Sequence, residues 1–204
     1  MANDRGVVTF FSRLTDLQDV NYMSIQTFTN ASTLLSDFFN LWGSRMALVK
    51  SDVEGNIRKV TNAVCSLNCT TLPEMLAKEQ SLDLYKKDSS GSVGLLWLKR
   101  SFQFLVSLLW FLSISTDDDC MKSIVSQAYD ESLRHYHNRF MRQTFRLVMH
   151  ALPKRSSLVQ KLALDQENCE KQVLTDAGKC RTMLLPFVAR LEELLIAYKL
   201  EHPV

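Results

Sequence analysis

The stretch Phe104–Ile114, FLVSLLWFLSI, is the most apolar run of the chain. It is about half as long as the roughly 20 residues that a helix needs to cross a bilayer. Lys99 and Arg100 close it on one side, and a run of aspartates closes it on the other. A helix of that length that is apolar on all sides is buried in a globular core or lines an apolar cavity. The run therefore predicts a buried segment within one long helix, from about residue 93 to residue 115.

The other segments also repeat their apolar residues with the period of an α-helix, and no alternating strand pattern persists. Helices are predicted at about 34–42, where Gly43 marks the end, at 46–64, and from Thr71 and Pro73 onward. Later helices are predicted at about 120–134, 137–152, 156–164 and 170–200. Asp117–Asp119 should cap the first of these, and Pro186 should kink or split the last. With only 6 Gly and 4 Pro in 204 residues, the sequence predicts an all-α fold in a single domain.

Composition and charge argue against several classes of protein. A net charge of +2 lacks the strongly basic face expected of a nucleic-acid-binding protein. The 5 cysteines form an odd set without a compact framework, which is typical of reduced thiols in the cytosol. Cys65 and Cys69 could be half of a metal site, but no second Cys/His pair follows at a suitable spacing. The first residues carry charge and no long apolar stretch, so they do not form a signal peptide.

A polar stripe is predicted on the second helix. Asp52, Asn56 and Lys59 are spaced i, i+4 and i+7, which places them on one face of a helix. An acceptor, an amide and a cationic donor together suit a ligand with hydroxyl and amide groups. The alternative is an exposed polar face with a weak Asp–Lys pair. Gly55, which is unfavourable inside a helix, would be explained by a group that approaches the backbone closely.

Trp97 and His137 are two further candidates. Trp97, in LLWLKRSF, is either a core anchor or a flat platform for the apolar face of a sugar ring. His137, in RHYHNRF, lies where one helix pattern ends and the next begins, so it either donates into a pocket or has a structural role. No carboxylate stands at catalytic spacing around it, and no nucleophile elbow or phosphate-binding loop occurs. The sequence therefore predicts a protein that is not an enzyme.

The order of these motifs resembles the glycolipid transfer protein family. The sequence has Phe-Phe…Gly at 38–43, D-x-x-x-N-x-x-K at 52–59, LLWLKR at 95–100, and AY…YH…F…ALP at 128–153. The resemblance implies one domain over residues 1–204. This domain would be a two-layer helical sandwich of about eight helices, which opens to admit two hydrocarbon chains between the layers.

The same resemblance implies roles for the candidate residues. Asp52 would bind the amide of ceramide and part of the head group, and His137 would bind the ceramide carbonyl. Asn56 and Lys59 would bind sugar hydroxyls, and Trp97 would stack on the first sugar. These roles agree with the need to pair a buried amide, because an unpaired polar group costs about 1–3 kcal/mol. Phe39, Phe104, Leu108 and Phe145 would line the hydrocarbon-chain pocket, or simply form core if the protein carries no lipid.

A sister branch of the family carries ceramide 1-phosphate and also resembles this chain. That branch typically has Arg at the position of Trp97 and a basic residue at that of Asn56, because phosphate needs charged, multidentate donors. Trp97 and Asn56 therefore favour a sugar head group. The alternatives are carriage of ceramide 1-phosphate, and a lipid sensor or interaction module that transfers little.

Two positions differ from the family pattern. Where the family usually has a membrane-docking Trp, this chain has Arg139, followed by Phe140. Arg142, Lys154 and Arg155 could add attraction to anionic lipid. Alignment of the closing YKL places His202 where the sugar-binding branch can carry a Tyr that reaches towards the head group. We expect a cytoplasmic monomer without a cofactor, which binds a glycosphingolipid and contacts membrane surfaces transiently.

Overall fold

The computed structural model describes residues 8–13, 17 and 20–201. Within these ranges the chain forms eight α-helices and two short 3-10 turns, with one isolated bridge between Ser24 and Thr71 and no strand. The helices are α1 (Ile25–Asn40), α2 (Ala47–Ser66), α3 (Leu72–Ser81), α4 (Gly91–Ser113), α5 (Met121–Glu131), α6 (Arg139–His150), α7 (Arg155–Leu162) and α8 (Glu170–Ala197). The prediction of an all-α sandwich of about eight helices with a pocket is confirmed.

Helix α4 is the central helix, as its apolar sequence predicts. It packs against α2, α5 and α8, and its apolar residues are largely buried. By length and composition alone α4 could also cross a membrane, but most of it is buried inside the protein. The start of α4 is held by Glu79 of α3, which accepts bonds from the backbone N–H of Gly91 at 2.8 Å and of Ser92 at 2.7 Å. A carboxylate at this position pairs free amides and meets the positive end of the helix dipole.

Two glycines bring α4 unusually close to α2. A Cβ added at Gly94 would lie 2.9 Å from the backbone oxygen of Asn56 and 2.9 Å from Cβ of Lys59. A Cβ added at Gly91 would lie 2.6 Å from Cβ of Ala63. Both separations are shorter than normal contacts, so only glycine allows this approach. The contact fixes the polar stripe of α2 directly beside the N-terminal half of α4.

Helix α8 runs antiparallel to α4. The rings of Phe102 and Phe187 meet edge to face at 5.2 Å in the fully buried part of the interface. Towards one end Lys99 of α4 lies 3.4 Å from Glu192 of α8. Pro186 does not split α8, which continues through it as one helix.

The predicted aspartate cap of α5 was wrong. Cys120 occupies the N-cap position, with no side-chain cap bond. Asp119 instead accepts from the backbone N–H of Thr116 at 2.8 Å, and Asp117 lies 3.0 Å from the guanidinium of Arg155. Arg155 is itself buried and also pairs with Glu170 at 2.6 Å. Arg155 therefore joins α7 to α8 and the α4–α5 loop, and the expectation that it faces a membrane was also wrong.

Helix α6 is the least buried of the long helices. Met149 is its only fully buried residue, and Phe140 and Leu147 are 78% and 69% exposed. A helix held by so little apolar burial opens more easily than the core around it.

Candidate functional site

An apolar cavity of about 350 Å³ lies between α1, α2, α4, α5 and α6. Three of the four predicted chain-pocket residues, Phe39, Phe104 and Phe145, line it. Leu108 is fully buried in the core and does not line this cavity. Residues that sequence reasoning did not assign to the wall include Trp42, Met46, Leu48, Val49, Val125, Met141, Thr144 and Val148. Their apolar periodicity alone does not distinguish pocket lining from ordinary core.

Aromatic rings form one wall of the cavity. Phe39 and Phe104 stack nearly parallel with centroids 6.4 Å apart, and Phe104 meets Phe145 edge to face at 6.5 Å. Phe145 in turn stacks on Tyr129 at 3.6 Å. This wall joins α1, α4, α5 and α6, and a flat apolar surface of this kind suits hydrocarbon chains.

Besides Ser101 and Thr144, the polar side chains that line the cavity are those of Asp52, Trp97 and His137. The cavity mouth is formed by Asp52 of α2, Trp97 of α4 and His137 of the α5–α6 connection. The rings of Trp97 and His137 lie 6.0 Å apart and are tilted by 41°. These three residues, distant in sequence, are brought together by the α2–α4 contact and by the packing of α5 on α4.

His137 is arranged as a neutral hydrogen-bond donor. The hydroxyl of Tyr129 lies 3.1 Å from Nδ1 of His137. Burial lowers the pKa of His137, and the nearby charges of Arg142 and Arg100 lower it further. Burial also raises the pKa of Tyr129, which keeps its hydroxyl proton. When this hydroxyl donates to Nδ1, the imidazole proton resides on Nε2, which can then donate to a ligand carbonyl.

Asp52 supplies a hydrogen-bond acceptor at the cavity mouth, opposite in role to the donor of His137. Asp52 as a residue is exposed at the cavity mouth, yet enough protein surrounds its carboxylate to displace part of the water from it. This burial raises the pKa of Asp52, and the charge of Lys59 acts in the opposite direction. A partly desolvated carboxylate is a strong acceptor for an amide N–H or a hydroxyl.

The other two stripe residues lie beside the mouth and not in its wall. Asn56 is buried, and its Nδ2 donates to the backbone oxygen of Asp52 at 3.0 Å. Lys59 is half-buried, with Nζ 3.6 Å from a carboxylate oxygen of the highly exposed Asp88. Gly55 is open, since an added Cβ would have only the Arg58 guanidinium within 4 Å, at 3.9 Å. A ligand can therefore approach the backbone of α2 closely at this position.

A charged cluster adjoins Trp97 that sequence reasoning missed. The guanidinium carbon of Arg100 lies 4.9 Å from the ring of Trp97 and 3.8 Å from that of Tyr136. Arg100 also donates to Glu201 at 3.0 Å, and the fully buried Lys99 lies 2.9 Å from the same carboxylate. The sequence places the two cations at the boundary of an apolar run and near Trp97, but it did not predict their partner Glu201. A cation within so apolar a helix is the signal that could have indicated a buried partner.

The predicted docking residues lie on the outer side of α6. Arg139 and Arg142 are exposed, and the highly exposed Phe140 also lines the rim of the cavity. Leu48, at the start of α2, is 61% exposed on the same rim and was not predicted. His202 lies outside the described residues.

Solved structures share this fold. The GLTP-fold structure of FAPP2, described as selecting simple glycosphingolipids, has a TM-score of 0.79 and 24% identity and covers 96% of this chain and 98% of its own. Human ceramide-1-phosphate transfer protein in complex with 12:0 ceramide-1-phosphate has a TM-score of 0.78 and 20% identity, with 97% of each chain covered. At these identities the likeness establishes the fold, and both head-group types occur among the neighbours.

Sequence comparison gives the family. The glycolipid transfer protein of Danio rerio is 31% identical, over 79% of this chain and 80% of its own. The pleckstrin homology domain-containing family A member 8 of Mus musculus is 27% identical over 95% of this chain, which spans only 38% of that longer protein. The family model "Glycolipid transfer protein (GLTP)" matches residues 23–164. The cavity, its polar mouth and these matches agree, and the chain belongs to the glycolipid transfer protein family.

Proposed function

We propose that this protein is a non-enzymatic carrier of glycosphingolipids such as glucosylceramide or galactosylceramide. The observation that carries the proposal is an apolar cavity whose mouth holds Asp52, Trp97 and His137 together. Such a site matches a ligand with a polar head group, one face of which can lie on an aromatic ring, and a long apolar tail.

The polar groups of the mouth can pair both halves of a ceramide amide. Asp52 would accept from the amide N–H, and Nε2 of His137 would donate to the carbonyl. An amide that enters this partly dry site unpaired would lose about 1–3 kcal/mol, so the two residues act together. The exposed side of Trp97 would stack on the first sugar. Lys59 would donate to a sugar hydroxyl after it leaves Asp88, and Asn56 would offer its carbonyl oxygen.

The hydrocarbon chains would enter between α6 and the aromatic wall. Helix α6 is weakly buried and contributes Met141, Phe145 and Val148 to the cavity. Its outward movement would enlarge the cavity at small cost, because few apolar side chains leave a packed environment.

The exposed face of α6 would dock on the membrane. Phe140 would insert among the head groups, and Arg139 and Arg142 would each add about 1 kcal/mol of attraction to an anionic surface. This arrangement supports transient, peripheral contact with membranes, and we propose that the protein is a cytoplasmic monomer. We also propose that residues 1–204 form one domain, because α8, beyond the family match, packs against the central helix α4.

Two other functions use the same site. Ceramide 1-phosphate carriage draws support from the fold shared with the human ceramide-1-phosphate transfer protein, but Trp97 offers no charge to a phosphate. A lipid sensor would bind as tightly and transfer little, and the absence of a docking Trp near position 139 favours slow transfer.

Matched substitutions test the proposal. Asp52→Val and Trp97→Ala should abolish transfer of a fluorescent galactosylceramide between vesicles while far-UV circular dichroism stays helical. The controls are Asp130→Val, an exposed acid of α5, and Trp110→Ala, an exposed Trp of the same helix as Trp97. Transfer that persists in both site variants refutes the site. Competition by unlabelled ceramide 1-phosphate that is tenfold stronger than by galactosylceramide, about 1.4 kcal/mol, refutes the sugar assignment.

A further inference from the structure

We propose, resting on the proposed function, that Glu201 is a specificity-determining residue of the head-group site. Its carboxylate pairs with both Arg100 and Lys99 beside the Trp97 platform. The site therefore accepts an uncharged sugar and rejects a phosphate or sulfate group.

The geometry makes Glu201 the shared counter-charge of both cations. One carboxylate oxygen accepts from Nη2 of Arg100 at 3.0 Å, and the other lies 2.9 Å from Nζ of Lys99. The side chains are 9% exposed for Glu201, 12% for Arg100 and 0% for Lys99. Ion pairs shielded from water in this way are much less screened than surface pairs.

Arg100 is the cation within reach of a head group. Its guanidinium is held between the rings of Trp97 and Tyr136, at 4.9 Å and 3.8 Å from their centroids. Its Nε is buried and therefore closed to a ligand, so the Nη2 group that bonds Glu201 is the donor that an anion would have to take. A planar guanidinium at the edge of the sugar platform is well suited to bind an anion, unless another carboxylate already occupies it.

Glu201 is that carboxylate, and it is ionised. Burial alone would raise its pKa, but the hydrogen bonds and charges of Lys99 and Arg100 outweigh burial and lower it. Lys99 has a second carboxylate nearby, that of Glu192, and Lys59 lies beside Asp88. An incoming phosphate would have to displace the Glu201 carboxylate from Arg100. It would then remain close to that carboxylate, whose negative charge repels it. Both requirements cost free energy that a neutral sugar avoids, and this is how a site discriminates by repulsion.

The test is the substitution Glu201→Gln, which removes the charge and keeps the shape. Wild type and variant are first loaded with the same fluorescent galactosylceramide. Unlabelled ceramide 1-phosphate and unlabelled galactosylceramide are then titrated in separately, and the apparent affinity of each competitor is measured. The ratio of the two apparent affinities should move by about tenfold or more towards ceramide 1-phosphate, since a charge-assisted donor is released. Glu193→Gln removes the same charge from an exposed position on α8 and should leave the ratio unchanged. Glu201→Asp keeps the charge and should retain most of the wild-type preference.

A second measurement is independent of any lipid. Inorganic phosphate is titrated into ¹⁵N-labelled protein, and the indole N–H signal of Trp97, assigned by Trp97→Phe, is followed. The signal should shift in Glu201→Gln and stay constant in the wild type and in Glu193→Gln. An unchanged lipid ratio together with no phosphate shift in Glu201→Gln overturns the role of Glu201. If the wild-type protein prefers ceramide 1-phosphate, the proposed function itself is overturned. The wild-type measurement alone shows this, so the two failures can be told apart.

Discussion

Replacement of Gly94 by alanine should separate the two helices that form the head-group site. The new Cβ would lie 2.9 Å from the backbone oxygen of Asn56 and 2.9 Å from Cβ of Lys59. Neither atom is the end of a flexible side chain, so α2 or α4 must shift. Because Asp52 and Trp97 are carried by these two helices, the shift would also widen the distance between carboxylate and platform.

Gly178 of α8 is a matched control for this substitution. A Cβ there would meet only Cβ of Ser113, at 3.8 Å, which is ordinary contact. Gly178→Ala should therefore stabilise the protein by about 1 kcal/mol through helix propensity. At Gly94 the same gain is opposed by an overpacking cost of about 1–3 kcal/mol. Gly94→Ala should thus be less stable than Gly178→Ala by about 1–3 kcal/mol.

Urea unfolding followed by circular dichroism measures this difference in unfolding free energy. The comparison requires that the unfolding free energy falls with urea concentration at the same slope in both variants. Lipid transfer should fall in Gly94→Ala and stay at the wild-type level in Gly178→Ala. Equal stability of the two variants with full transfer in both would refute the reasoning, because the α2–α4 contact would then tolerate a methyl group.

Three other perturbations have expected outcomes. Tyr129→Phe should weaken galactosylceramide binding by the value of one hydrogen bond, about 0.5–1.5 kcal/mol. Titration calorimetry measures this change. The control is Tyr198→Phe, which removes a tyrosine hydroxyl bond to a backbone oxygen outside the site and should leave binding unchanged. Because the pKa of Glu201 is lowered, its contribution to stability is full above the ordinary glutamate pKa of about 4.3 and is lost as pH falls through the lowered value. The difference in unfolding free energy between wild type and Glu201→Gln should therefore shrink in acid, and a constant difference down to acid pH would contradict the ion pair. Phe140→Ser should slow transfer between vesicles much more than it lowers the affinity for lipid, because Phe140 lies only at the rim of the cavity. Leu82→Ser, at another exposed apolar residue, should change neither. A loss of affinity as large as the loss of transfer would place the side chain of Phe140 in the pocket instead of the membrane.

Much of the fold could be predicted because it depends on local patterns. The apolar run at 104–114 marks the buried part of α4, and Thr71 with Pro73 marks the start of α3 with its side-chain cap. The aspartate cap of α5 failed for a physical reason, since Asp117 and Asp119 had closer partners in Arg155 and Thr116. Competition between a local cap and a distant ion pair cannot be decided from spacing.

The candidate site was predictable to the extent that it resembles a family pattern. Asp52, Trp97 and His137 meet at one cavity mouth, but the spacing of residues did not require this. The glycine contact at Gly94 and the position of Glu201 beside Arg100 depend on tertiary packing alone. Nothing in the local sequence around Glu201 indicates a partner 101 residues earlier in the chain.

The two halves of the pocket differ in rigidity, and this difference fits a carrier. The head-group half rests on the glycine-mediated α2–α4 contact, and α4 is held further by the Glu79 bonds from α3 and by the buried Lys99–Glu201 ion pair. The chain half is closed by α6, which has a single fully buried residue. A rigid polar mouth discriminates between head groups, because small displacements of donors and acceptors cost hydrogen bonds. A loosely held wall accepts hydrocarbon chains of different length, because apolar contact is non-directional. We therefore expect substitutions on α2 and α4 to change which lipid is bound, and substitutions on α6 to change how fast it is exchanged.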